Sequence, residues 1–480
     1  MSANMENPLV VDLDGTLIKT DLLIEAASKF IITYPLRVLR LLWWLLKGKL
    51  TLKSNLARFY KMDPSTLPYN TELIAWLKEQ KNIGREIILA TASHKIVAEK
   101  VAGYLELFSE VIATDEEVNV KSKRKRDALV VRFGERGFDY IGDSKSDLPV
   151  WESANNSYVV SGSNSLIKKA KQNSNVEGIF QSRHAFITLD LIKELRPHQW
   201  LKNVLVFIPL IASHLYGDEQ CLINSVLGFI AFCFVASSVY IINDIVDISV
   251  DREHEGKKHR PMASGNMPLL HGWVVWPILV CIGFSIAFFT VSFEFFLVLA
   301  GYYLITLLYS FLLKKISVVD VLALACLYTL RIFAGAVAIS VYVSSWLLTF
   351  SCFFFLSLAF IKRLSEIKSL RNNNKTPGIP GRGYITEDFE MVLSMGTGAG
   401  YISVLVLALY INDKFVINMY TFPQILWLSC ILLLFWILRV WSIACRGEMH
   451  EDPVVFSITD KLSWIVGLSF VLVFIAAKTF

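Results

Sequence analysis

The chain has 480 residues, of which 54% are hydrophobic and 19% charged, with a net charge of +5. That length allows two or three domains, and so small a charge gives no sign of a nucleic-acid partner. The seven cysteines all follow residue 220 without a CxxC pair, which excludes a disulfide framework or a zinc site and leaves them as small core residues.

The averages hide a sharp division. Residues 1–185 carry charges throughout, whereas 200–480 are long apolar runs separated by short polar loops. The first six residues show neither a basic start nor a cleavage site, so the first domain is expected to stay in the cytosol.

Leu9-Val10-Val11 reads as a buried strand ending in Asp12-Leu13-Asp14-Gly15-Thr16. Residues 20–80 read as a mostly helical insertion. Within it, residues 36–46 carry Trp43 and Trp44, flanked by Arg37, Arg40, Lys47 and Lys49. This stretch is too short to span a membrane. It can lie in the membrane interface or pack as a cap on its own domain. A second strand covers 86–91 and ends in Thr91; a third covers 138–143 and runs into Gly142-Asp143-Ser144-Lys145-Ser146-Asp147. Strands alternating with helices predict a parallel sheet whose strand ends form a site.

These residues carry a chemistry. Asp12 can attack phosphorus as a carboxylate nucleophile. Asp14 can protonate the leaving oxygen and then activate water. Thr91 can hydrogen-bond the phosphoryl group. Asp12, Asp14, Asp143 and Asp147 are the expected ligands of Mg²⁺, a cation suited to oxygen donors and phosphate. Of Lys121, Lys123 and Lys125, which compete to neutralise the nucleophile, Lys123 is favoured. The combination of DxDGT with GDxxxD resembles the haloacid dehalogenase-like phosphatase superfamily over roughly residues 5–185. The resemblance implies an α/β Rossmann-like core with a small helical cap, here about residues 20–80.

Beyond a short helix at 187–199, apolar runs of about 18 residues or more are long enough to cross a bilayer. About nine spans are expected, at 203–216, 222–242, 270–291, 295–313, 318–340, 344–361, 390–410, 423–441 and 461–478. The domains are therefore drawn at 1–185 and 186–480, the second an all-α membrane domain. Loops 243–268, 362–389 and 442–460 and the turn at 314 carry the basic residues, Lys375 among them, whereas the opposite loops hold only Lys414. The positive-inside rule then puts the N-terminus in the cytosol and, with an odd count, the C-terminus outside. A bacterial inner membrane is the expected location.

Asn243-Asp244-Ile245-Val246-Asp247 and Asp251 close the second span. Spacings of three and four place the carboxylates on one helical face, and charges at such depth are usually functional. With the Asn243 amide they make a plausible second Mg²⁺ cradle, for a diphosphate. The pattern NDxxDxxxD resembles the UbiA-type intramembrane polyprenyltransferase superfamily, over 190–480. The family's second aspartate-rich position reads here Lys362-Arg363-Leu364-Ser365-Glu366. With Glu366 as its one carboxylate, it argues against aromatic prenylation.

Arg196, Gln199, Lys202, Asn203, Tyr309, Lys314, Asp320 and Arg331 look instead like the decaprenyl-phosphate phosphoribosyltransferase branch. Asp244 and Asp247 are then the expected catalytic residues. Lys257, Arg260, Lys362, Arg363 and Glu366 join the first group in the expected substrate site, where Arg and Lys bind phosphates. Singly, Arg331 and Lys202 can also be snorkelling or helix-end residues.

The resemblance implies transfer of phosphoribose from phosphoribosyl diphosphate to a polyprenyl phosphate. The fused phosphatase would then remove the 5-phosphate, with tethering keeping the lipid product near the second site. The competing readings are a prenyl-diphosphate transferase with an aromatic acceptor, and a transporter or assembly protein with a regulatory phosphatase-like module. An oligomer is compatible with all of them.

Overall fold

A computed structural model describes residues 7–181, 187–373, 378–379, 381–449 and 452–479. Residues 1–6, Lys375 and the 185/186 boundary lie outside them. The chain forms two compact units, Met1–Arg196 with Tyr240–Pro277, and Pro197–Val239 with Ile278–Phe480.

The first unit is built on six parallel strands: β1 (Leu9–Val11), β2 (Ile87–His94), β3 (Glu110–Thr114), β4 (Asp139–Gly142), β5 (Ser157–Val160) and β6 (Val176–Phe180), in the order β3-β2-β1-β4-β5-β6. Every residue of β1 is buried. Leu9 and Val11 enter one core with Leu89 and Ile141, while Val10 enters the opposite core with Ile88, Tyr140 and Trp151. A strand covered on both faces needs a continuous apolar run rather than alternation. Strand order reverses between β1 and β4, and the crevice beyond the carboxyl ends at such a point is where open α/β sheets bind ligands.

Three helices follow β1: α1 (Leu22–Thr33), α2 (Val38–Leu46) and α3 (Lys49–Phe59). The Asp21 side chain caps α1 by accepting from Leu23 N and Ile24 N. Phe30, Trp44 and Leu56 form their shared core. α2 therefore packs on its own domain through Trp44, while its opposite face stays exposed.

Segment 240–277 completes this unit. Arg252 enters a buried ion pair with Glu25 of α1, at 2.5 and 3.2 Å. Trp273 Nε1 donates to Ser28 Oγ at 2.7 Å. Gly265 adopts φ +75°, and a Cβ there would fall 2.6 Å from that of Lys19, so only glycine allows this close approach.

The second unit is helical. Its largest core gathers Ile361, Leu364, Val392, Ile437 and Trp441. Among the described residues eight helices are long and apolar enough to cross a membrane, where about nine spans were expected. The difference lies at the first. Residues 197–212 form a 3₁₀ stretch, Pro197–Phe207, and a five-residue helix, Ile208–Ala212. Pro209 lacks an N–H and disfavours α geometry just before it, which interrupts the run. The other expected spans each overlap one long helix, though 295–313, 318–340 and 344–361 run slightly past the ends of theirs. Those helices expose large apolar side chains such as Phe289, Leu405, Ile431 and Leu472, as lipid-facing surfaces do.

Candidate active sites

The first acidic cluster forms where β1 and β4 lie side by side. Among the described residues, ligand atoms of Asp12, Asp143 and Asp147 converge within 4.8 Å of one another. Gly15, at φ +77°, makes room for this. A Cβ there would meet Asp143 Oδ2 at 2.1 Å, so the glycine of DxDGT is dictated by the carboxylate facing it.

Lys125 Nζ donates to Asp12 Oδ1 and to the Tyr140 hydroxyl, both at 2.9 Å, and lies 3.7 Å from Asp147. Lys123, the lysine favoured from sequence, is exposed at the first position of helix Lys123–Phe133. Two residues further on, the helix has turned its side chain inward, and Lys125 takes the neutralising place. Burial, despite Lys125, raises Asp12 to about 6. Burial and the neighbouring Asp147 and Asp12 push Asp143 well above the usual carboxylate range. Three crowded carboxylates opposed by one ammonium fit a divalent cation, which would relieve both effects.

Asp14 departs from the expectation that it ligates the metal. Its carboxylate turns away to accept from Leu22 N at 2.9 Å and Ser93 Oγ at 2.6 Å. Burial and the nearby Asp21 raise it to about 7, so near neutrality it can hold a proton to give. Thr91 is fully buried on β2, and its hydroxyl accepts from Ser93 N at 3.0 Å. Ser93 was not singled out from sequence. Nothing local marks it, because its partner lies 79 residues away.

The second acidic cluster lies at the end of helix Glu219–Val246 and in Ile248–Glu253. Asp244 and Asp251 are buried; Asn243 and Asp247 are half-buried. Arg260 bridges Asp244, at 2.9 Å, and Asp251. Arg196 also pairs with Asp244, and Lys257 lies 3.8 Å from Asp251. Among the described residues these carboxylates do not gather as tightly as those of the first cluster. Glu194, absent from the sequence expectations, is buried here beside Asp244. Burial and the adjacent Asp244 raise it to about 9. A cation bound among Glu194, Asp244, Asp247 and Asp251 would favour the charged form of Glu194 and relieve that effect.

Two polar clusters of the second unit gather residues expected in the substrate site. Lys202 and Lys362 both donate to Asp452 Oδ2, at 3.0 and 2.9 Å. Burial alone would raise Asp452, but the two lysines hold it well below the usual range. In the other cluster, fully buried Arg363 pairs with Asp320 and, at 2.5 Å, with Glu366. Tyr309 and Arg382 complete that network on Asp320, at 2.9 and 3.2 Å. Asp452 and Arg382 were missed because their partners lie far away in the chain.

Arg331 is buried and spends its donors on Asn203 at 3.0 Å, Tyr302 at 2.7 Å and the Leu327 carbonyl at 2.7 Å. Gln199 is half-buried within the 3₁₀ stretch and Lys314 half-buried in a second turn, Leu313–Lys315.

Known proteins supply the context. An uncharacterized Sinorhizobium fredii protein, y4nM, is 34% identical over 471 residues, covering 98% of this chain and 91% of that one. The nodulation protein NoeC of Azorhizobium caulinodans is 36% identical over 288 residues, 58% of this chain and 91% of its own length. The decaprenyl-phosphate phosphoribosyltransferase of Corynebacterium glutamicum is 37% identical over 181 residues, 37% of this chain and 54% of that protein. A solved UbiA homolog from Archaeoglobus fulgidus, bound to GPP and Mg²⁺, superposes with a TM-score of 0.47 at 19% identity, over 61% of this chain and all of that one. The UbiA prenyltransferase family model matches residues 206–476. With more than half of its length so matched, this multi-span chain belongs to the UbiA prenyltransferase family.

Proposed function

We propose that the protein transfers phosphoribose from phosphoribosyl diphosphate to a polyprenyl phosphate, and then removes the 5-phosphate of the product through its α/β domain. The observation that carries this reading is the presence in one compact unit of two acidic clusters, each with basic side chains beside it. The similarity to a decaprenyl-phosphate phosphoribosyltransferase supports the donor and acceptor.

For the first step, Asn243, Asp244, Asp247 and Asp251, with Glu194 beside them, would hold Mg²⁺. The bound ion supplies neutralisation of the leaving diphosphate. Arg196 and Arg260, released from Asp244, would take phosphate oxygens. A lipid phosphate oxygen forms a bond to the anomeric carbon as the bond to diphosphate breaks. Lys202 and Lys362 converge on Asp452, and such paired ammonium groups would take a lipid phosphate.

For the second step, Asp12, Asp143 and Asp147 would hold the second Mg²⁺, which screens the phosphoryl oxygens from the carboxylates. Asp12 attacks phosphorus, and Asp14 gives its proton to the leaving ribose oxygen. Asp14 then takes a proton from the water that hydrolyses the aspartyl-phosphate. Lys125 balances charge on Asp12. We expect Lys125→Ala to lower phosphate release by roughly 10²-fold and Lys123→Ala to leave it within about twofold. Equal losses in the two variants would remove Lys125 from this role.

The test is lipid mass spectrometry after incubation with Mg²⁺, phosphoribosyl diphosphate and a polyprenyl phosphate, beside prenyl diphosphate with an aromatic acceptor. Ribosylated lipid is expected from wild type and none from Asp244→Asn, which should remain folded. Product from the prenyl arm alone would establish the aromatic prenyltransferase reading instead. The commitment of Glu366 to Arg363 and Arg382 argues against that outcome. We also propose a bacterial inner-membrane location with the α/β domain cytosolic, on the strength of the basic loops. The C-terminus then lies outside if segment 197–212 crosses as a ninth span.

A further inference from the structure

Only Trp44 of α2 is buried. Its ring lies 5.2 Å from Phe30 and stacks at 6.0 Å on Phe59, and this contact anchors the helix to its domain. Leu41 packs against the same cluster, while the apolar side chains of the opposite face point away. Leu36 is 97% exposed, Leu46 87% and Trp43 53%, with Leu39, Leu42 and Leu45 beside them. A patch of six large apolar residues on α2 and the turn before it is uncommon on a surface that meets only water.

The charge around the patch says what covers it. From residue 26 to residue 62 the sequence holds eight lysines and arginines and no aspartate or glutamate. Arg37, Arg40, Lys47 and Lys49 flank the helix directly, and Lys47 Nζ sits 3.6 Å from the centre of the Trp43 ring. Arg58 is paired with Glu116, but among the described residues no ion pair to Arg37, Arg40, Lys47 or Lys49 forms, and leucines and a tryptophan on one face ringed by these four cations match the boundary between acyl chains and anionic headgroups. Long basic side chains reach the phosphates while their stems lie on apolar surface. The same chain spans a bilayer, so that surface is within reach without any targeting step.

We propose that the outer face of α2 docks on an anionic phospholipid surface, with Leu39, Leu42, Trp43 and Leu46 among the acyl chains and Arg37, Arg40, Lys47 and Lys49 on the headgroup phosphates. The contact holds the α/β domain, and the carboxylate cleft beyond β1 and β4, against the lipid layer. This does not depend on what either acidic cluster catalyses.

The test uses full-length protein in nanodiscs containing phosphatidylglycerol, with a photoreactive benzophenone amino acid at position 42 or 46 and, as control, at exposed position 168. All three sites are on the surface, so folding is not at stake. After irradiation, lipid adducts at 42 and 46 are expected at about tenfold or more the yield at 168, falling severalfold when phosphatidylcholine replaces phosphatidylglycerol. Lipid yields equal to the control overturn the proposal. So do adducts to a second copy of the chain, which would make α2 a protein interface. Yields insensitive to headgroup charge overturn the assignment of an anionic surface.

Discussion

Asp12→Asn is expected to stop the reaction sequence halfway, so that lipid carrying a phosphorylated ribose accumulates where wild type yields the dephosphorylated form. An amide cannot form the aspartyl-phosphate, and loss of a nucleophile costs on the order of 10³-fold or more. The substitution nearly preserves shape and removes a negative charge from beside Asp143 and Asp147, so the fold should hold and Tm should not fall. Lipid mass spectrometry reads both the missing product and the trapped one. Unchanged dephosphorylated product from the variant would show that this domain does not act on the lipid.

Glu25→Ala is expected to have the largest effect on stability. The Glu25 carboxylate accepts from Arg252, from Thr20 Oγ1 at 2.7 Å and from the Tyr60 hydroxyl at 2.8 Å. Its side chain and that of Arg252 are 3% and 6% exposed. Removing the carboxylate strands a guanidinium away from water, and breaking a buried pair in this way costs about 3–5 kcal/mol. Thermal unfolding of the detergent-solubilised protein should show it. Glu25→Ala with Arg252→Ala should recover much of the loss, because no unpaired charge then remains. A single variant as stable as wild type would mean that Arg252 finds water or another partner.

The parts of the fold visible in the sequence were those with local causes. β1, β2 and β4 are short runs of apolar residues ending in catalytic-type residues, and they were recognisable as such. β3 and β6 are partly exposed, and β5 is a four-residue SYVV; none has enough pattern to separate it from loop. The eight long helices announced themselves by length. The segment around Pro197 and Pro209 did not, because hydropathy does not register a broken backbone.

The site residues divide in the same way. DxDGT, GDxxxD and NDxxDxxxD could be read directly. Choosing between Lys123 and Lys125 required knowing where helix Lys123–Phe133 begins, since two residues turn a side chain from solvent to core. Asp14 could be read as a carboxylate beside a nucleophile, but its orientation follows from Leu22 N and Ser93. Glu194, Arg382 and Asp452 take their significance from distant partners, which a linear pattern does not contain.

The Glu25–Arg252 pair also sets a schedule for biosynthesis. Its members are 227 residues apart, and at about 5–20 residues per second Arg252 emerges on the order of ten to forty seconds after Glu25. For that interval the nascent α1 presents a carboxylate with no guanidinium to meet it, while β2 to β6 and the helix Glu219–Val246 are still being made. The α/β domain can assemble its sheet early, but the surface of α1 that receives Arg252 and Trp273, and the neighbouring Lys19 that receives Gly265, are covered only once segment 240–277 has been synthesised. Until then an open cap is the expected state of the growing chain.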